Sequence, residues 1–234
     1  MSGLVVVGDT LLDVDITGTA NRLCPDAPAP VVDVQQELAR PGGAGLAASL
    51  AAADGVDVCL VTALAADRDG QRLRRALGAL RVVSSLADGS TSVKTRIRSA
   101  GRSVVRFDRG GGDAGEVTDE MLAEIRRADA VLVADYGRGL ATDRRLRTAL
   151  TEVAARVPVV WDPHPRGPRP GSRAVACAGR RTRPAPCVRP GGVARSRSRS
   201  VRGERCSIAA ALRWRSPRPM CQSSIPAAPV IGSP

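Results

Sequence analysis

Hydrophobic periodicity runs through this 234-residue chain only as far as about residue 167, and that break limits the core it can build. From residue 168 the chain reads PRPGSRAVACAGRRTRPAPCVRPGGVARSRSRSVRGER, where Ala and Val are scattered among Arg and Pro with neither the helical nor the strand repeat. Charge divides at the same place. Of 35 Lys+Arg, 13 arginines fall after residue 170, whereas of 23 Asp+Glu only Glu204 does. The formal net charge of +12 therefore belongs to the tail, and the body is balanced. A basic average of this kind does not point the body toward nucleic acid or an anionic membrane. The expected boundary lies between residues 165 and 171, giving an ordered segment over 1–167 and a disordered Arg/Pro/Ser-rich tail over 168–234.

Within the ordered segment the pattern is α/β. Residues 4–7 form a continuous apolar run closed by Gly8 and Asp9, as a buried strand ends at the functional edge of a sheet. A short strand follows over 30–34, then a tight glycine loop over 41–45 that caps a small-residue helix over 46–53. Strand 58–62, helix 69–77 and strand 82–84 continue the alternation. Residues 91–98 and 103–108 instead alternate with the strand period around Ala100 and Gly101, predicting a half-exposed antiparallel hairpin. Thr118 is a good N-cap for a helix reaching residue 127, and a buried strand spans 130–134. Leu146, Leu150 and Val153 line one face of a helix over 143–156, and strand 157–161 ends at Asp162.

Several chemistries are excluded. Lys94 is the only lysine and follows Val93, so no Walker A loop exists, and no GxGxxG follows a strand. His164 is the only histidine, reads as a surface loop residue, and has no HExxH around it; no serine sits in a nucleophile elbow. The six cysteines lack CxxC or zinc spacing and read as thiols. No run is apolar enough to span a membrane, and the start MSGLVVVGDT has neither basic leader nor cleavage site, so a cytoplasmic protein is expected.

Three clusters lie beside strand ends, where α/β sheets bind ligands: Asp9 with Asp13, PGGAG at 41–45, and DYGRG at 135–139. Carboxylates there accept hydrogen bonds from vicinal hydroxyls, and glycines let backbone approach a sugar, so polyol binding is one reading and plain turn chemistry the other. The order of VVVGDTLLD (5–13), NRLCPDAPAPVV (21–32), RPGGAG (40–45), TSVKTRIRSAGRSVVRFD (91–108), VLVADYGRG (131–139) and VVWDPHPRG (159–167) resembles the ribokinase family of carbohydrate kinases, most closely its heptose 7-phosphate kinase branch. The resemblance covers residues 4–167. It implies a ribokinase-like fold with central sheet, flanking helices and a β-hairpin lid, and a cytoplasmic kinase that uses ATP and Mg²⁺ to phosphorylate heptose 7-phosphate at the 1-hydroxyl, in heptose nucleotide synthesis. It also implies that Asp9, Asp13, Gly42 and Gly43 face the sugar hydroxyls, with Lys94, Arg96 and Arg106 near the substrate phosphate, and it admits a homodimer joined through the hairpin. Leu46 stands where the family usually has a sugar-touching Asn, and His164 where a Lys commonly follows DP.

The family also expects a TPN segment, a strand-rich ATP site and a GAGD segment whose glycine N–H groups form an anion hole beside a catalytic Asp. None occurs in this chain, so no catalytic residue is assigned and the ATP site is largely absent. The tail looks like GC-rich coding sequence read out of frame. Joining the third base of each codon over residues 222–232 to the first two of the next gives doublets compatible with VVDPCGAGDR, the missing catalytic segment. A frameshift near residues 168–175 is the expectation, with little or no kinase activity left, although TPN is not recovered in that frame. A rival reading takes ARSRSRSVRGER at 194–205 as an Arg/Ser segment for RNA phosphates. With no aromatic interleaving beyond Trp214, and Pro, Cys and Ala around it, the stretch does not form an RNA module.

Overall fold

A computed structural model describes residues 3–171 and 174–176. In chain order the elements are β1 (Leu4–Gly8), β2 (Thr10–Leu23), β3 (Pro30–Gly43), α1 (Ala44–Ala53), β4 (Val58–Leu64), α2 (Arg68–Ala76), β5 (Arg81–Leu86) and β6 (Val93–Ser99). They continue with β7 (Arg102–Arg109), α3 (Asp119–Arg127), β8 (Ala130–Ala134), a 3₁₀ turn (Leu140–Thr142), α4 (Arg144–Val153), β9 (Val159–Asp162) and β10 (Val175–Ala176). Two sheets result. One is parallel, in the order β10-β9-β8-β1-β4-β5; the other runs β3-β2-β6-β7.

The parallel sheet explains its own sequence. LVVVG and AVLVA are continuous apolar runs because β1 and β8 lie mid-sheet with both faces covered. On one face Val5, Val7, Val61 and Val133 pack against Met121 and Ile125 of α3 and Leu146 and Leu150 of α4. On the other, Val6 and Leu60 meet Ala48 of α1 and Leu73 of α2. Each large side chain so enclosed is worth about 1.5–3 kcal/mol of removed apolar surface. Side-chain caps fix three helix starts: Asp67 accepts from Gly70 N–H, Thr118 from Met121 N–H and Asp143 from Leu146 N–H. The α/β class and the hairpin, now β6–β7, are as expected from sequence.

The second sheet is larger than a hairpin. Residues 10–23, unassigned from sequence, form β2; the expected short strand over 30–34 and the first three residues of the expected loop over 41–45 merge into the fourteen-residue β3, while Ala44 and Gly45 open α1. The signal was present in β2: Leu12, Val14 and Ile16 alternate with Asp13, Asp15 and Thr17. Once β2 is a partner, Pro41, Gly42 and Gly43 lie opposite Leu12, Leu11 and Thr10 and extend the ladder, where the residues alone read as a turn.

Val175–Ala176 pair with Val160–Trp161, so β10 joins the sheet just before the described chain stops. The tail was expected to be disordered from residue 168, and the pairing of 175–176 corrects that start; the stretch from residue 177 lies outside the described residues, as do Cys177, Cys187, Cys206 and Cys221. Cys24 and Cys59 are free thiols. Among the described residues no helix is long and apolar enough to cross a membrane.

Candidate functional site

The lid sheet carries two unlike faces, as the strand period requires. Asp13 and Asp15 of β2 lie in register with Lys94 and Arg96 of β6, and Lys94 and Arg96 in turn with Asp108 and Arg106 of β7. All six therefore share one face. Arg96 donates to Asp13 Oδ1 at 3.1 Å; Arg106 donates to both oxygens of Asp108, at 3.1 and 2.9 Å. The Arg106 guanidinium accordingly holds the Asp108 carboxyl below the usual range. Arg40 Nη2 pairs with Asp15 Oδ2 at 2.8 Å on the same face.

Gly42 belongs to this cluster because a Cβ there would lie 2.5 Å from Asp13 Oδ2, so the carboxylate can rest on bare backbone. Gly43 has φ +63 and sits under Tyr136, whose ring would be 3.4 Å from an added Cβ. The structure thus brings Asp13, Gly42, Lys94, Arg96 and Arg106 together. A buried carboxylate beside backbone without side chain, edged by cations, suits a hydroxylated ligand that ends in an anion.

Asp9 is placed differently. Its Oδ2 accepts from the backbone N–H groups of Tyr136 at 2.9 Å and Arg138 at 3.0 Å, and its carbonyl accepts from Ala44 N–H at 3.0 Å. The carboxylate at the tip of β1 thus ties down the 135–139 loop and the start of α1. Burial pushes its pKa above the ordinary 3.8; the two N–H donors pull the other way, and Asp135 adds to the rise. Asp135 Oδ1 accepts from Gly137 N–H at 2.9 Å, while its Oδ2 is buried against Gly167 without a hydrogen bond. Burial, then Asp135, also raises Asp162 at the tip of β9.

Three members of this region lie inside motifs picked out from sequence but carry no role of their own there. Tyr136 is 39% exposed, and burial of its hydroxyl together with the charges of Asp162 and Asp13 raises its pKa. Arg138 Nη2 donates to Ser92 Oγ at 2.7 Å, linking the strand-tip loop to the base of the lid. Arg40 completes the cationic edge. The DYGRG pattern was the available signal for the first two. His164, read as a surface residue, is half-buried against Gly137, and its Nδ1 accepts from Arg166 N–H at 3.3 Å.

A cavity of about 30 Å³ touches Asp9, Thr10, Ser92 and Arg138, room for about one water. The larger groove, about 610 Å³, lies elsewhere, between α4 and β9, lined by Leu150, Val159, Trp161 and Arg147. Its carboxylate, Glu152, is exposed and pairs with Arg126, unlike the buried Asp13 of the lid face. Among the described residues no group of three His, Cys, Asp or Glu side chains could hold a metal ion.

No protein-family model matches the chain. A bifunctional protein HldE of Streptomyces coelicolor is 53% identical over 178 residues, covering 75% of this chain and 37% of that protein. Another, of Geotalea uraniireducens, is 36% identical over 171 residues, covering 68% and 35%. The chain is a homologue of the HldE proteins. This HldE homologue spans little more than a third of the length of those relatives. Its fold is that of ribokinases: a ribokinase from Giardia lamblia superposes with TM-score 0.52 at 12% identity, over 74% of this chain and 57% of that one. A ribokinase-like protein from Agrobacterium tumefaciens gives 0.50 at 21% identity, over 69% and 52%.

Proposed function

We propose that the ordered part of this HldE homologue, residues 1–167 and the sheet extension to β10, is the sugar-binding portion of a cytoplasmic, ATP-dependent kinase that phosphorylates D-glycero-β-D-manno-heptose 7-phosphate at its 1-hydroxyl, and that the chain beyond β10 is read out of frame. One observation carries the binding half of this reading: Asp13 lies beside Gly42 on a face shared with Lys94, Arg96 and Arg106. In that arrangement Asp13 accepts hydroxyl hydrogen bonds and the lid cations meet the 7-phosphate. Each charge-assisted contact is worth about 1.5–3 kcal/mol, or roughly 10- to 100-fold in affinity. Calorimetric titration of the full chain with heptose 7-phosphate should therefore show binding that Lys94→Ala and Arg106→Ala each weaken about tenfold or more. Equal affinity for unphosphorylated heptose would overturn the phosphate assignment.

We further propose a homodimer through the β6–β7 hairpin. Val105 and Phe107, 45% and 44% exposed, lie on the face opposite the cations, and among the described residues β7 is a sheet edge. Sedimentation should give a dimer for the full chain and a monomer for Phe107→Asp. A monomeric unsubstituted chain would refute it.

A further inference from the structure

Helix α2 is fastened to three of the four lid strands. Asp67, its N-cap, accepts from Gly70 N–H at 2.7 Å, from the Thr91 hydroxyl at 2.6 Å and from Thr91 N–H at 2.9 Å, so it also fixes the chain entering β6. Asp69, in the first turn, pairs with Arg109 at 2.8 Å, the last residue of β7. Arg72 braces on Asp69 at 3.3 Å and pairs with Glu37 of β3 at 2.6 Å. The fourth strand, β2, follows β1 after a single residue, Asp9, and needs no such tie. At the far end of the lid, Arg22 of β2 pairs with Asp33 of β3 at 3.1 Å, an exposed contact within the lid itself that ties it to no helix.

We infer that α2 is a clamp, in which Asp67, Asp69 and Arg72 are positioning residues that hold the lid over the strand tips and set how readily it opens apart from the central sheet. The inference is independent of which ligand the site takes. Acidic residues in the first turn are favoured by the positive end of the helix, and they hold cations borne by both the lid and α2 itself. The side chains of Arg109 and Arg72 are 53% and 28% exposed, so salt reaches both pairs.

Hydrogen exchange on the full chain tests this. Amides over 12–17 and 93–98 should exchange about tenfold faster in Asp69→Asn and in Arg72→Ala, while those over 4–7 and 130–134 keep their rates. Arg72→Lys should restore slow lid exchange, and Arg22→Ala should leave it unchanged. Salt at about 0.5 M should speed lid exchange in the unsubstituted chain but not in the doubly substituted Asp69→Asn, Arg72→Ala chain. Unchanged lid exchange in both single variants would overturn the clamp, as would equal acceleration in both sheets, which marks a global loss of stability. Arg72→Ala removes a partly exposed side chain, so it supplies the test even where Asp69→Asn folds poorly.

Discussion

Given ATP, Mg²⁺ and heptose 7-phosphate, the full chain is expected to turn over at least about 10⁶-fold more slowly than the Streptomyces coelicolor HldE assayed beside it. Phosphoryl transfer relies on positioning and on electrostatic stabilisation of the transferring group, and loss of a single oxyanion donor already costs roughly 10²–10³ in rate. The GAGD segment that would supply both the anion hole and the base is spelled nowhere in the sequence as it stands. Shifting the reading frame of the gene between codons 165 and 180, so that the positions of residues 222–232 read VVDPCGAGDR, should bring turnover back by several orders of magnitude if one slip accounts for the tail. Turnover by the unshifted chain within about tenfold of the relative would contradict the frame reading. A gene sequence whose codons over 222–232 cannot spell that segment would do so too.

Substitutions at the two site aspartates should separate stability from binding. Asp9→Ala leaves the part-buried N–H groups of Tyr136 and Arg138 without their acceptor, at about 1–3 kcal/mol each, so urea unfolding should show a loss of roughly 2–6 kcal/mol, at the lower end where water reaches them. Asp13→Ala removes a single ion pair to Arg96, a side chain 27% exposed, and should cost no more than about 1 kcal/mol. The ranking for heptose 7-phosphate reverses: Asp13→Ala should abolish measurable affinity, whereas Asp9→Ala acts only through the fraction folded. A stable Asp9→Ala chain that has lost binding would make Asp9 the ligand-facing carboxylate instead.

What could be read from sequence followed the local strength of each signal. The inner strands β1 and β8 declared themselves because burial on both faces leaves no polar positions to interpret. Thr118 announced α3 through capping chemistry that needs only neighbours. β2 escaped because the Leu11–Leu12 pair blurs its alternation, and its register with β3 shifts at Thr17/Gly18 and Thr19/Arg22. Pro41 to Gly43 looked like a turn, and only a partner strand 29 to 33 residues earlier makes them a ladder. At the site, DYGRG was visible as a loop, yet its attachment to Asp9 spans 127 residues, and no periodicity reports a contact of that range. The α2 clamp is invisible for the same reason: Asp67 and Thr91 are 24 residues apart, and Arg72 and Glu37 are 35.

Trp161 is almost wholly enclosed, with the Arg147 guanidinium 5.7 Å above its ring and an indole N–H that finds no acceptor among the described residues. The only other tryptophan is Trp214. Exchanging Trp214 for Phe would leave one fluorophore, set in the wall of the groove beside α4 and sensitive to whatever supplies the missing acceptor or displaces the arginine. The chain thus comes with its own optical gauge for anything that settles along that side of the sheet.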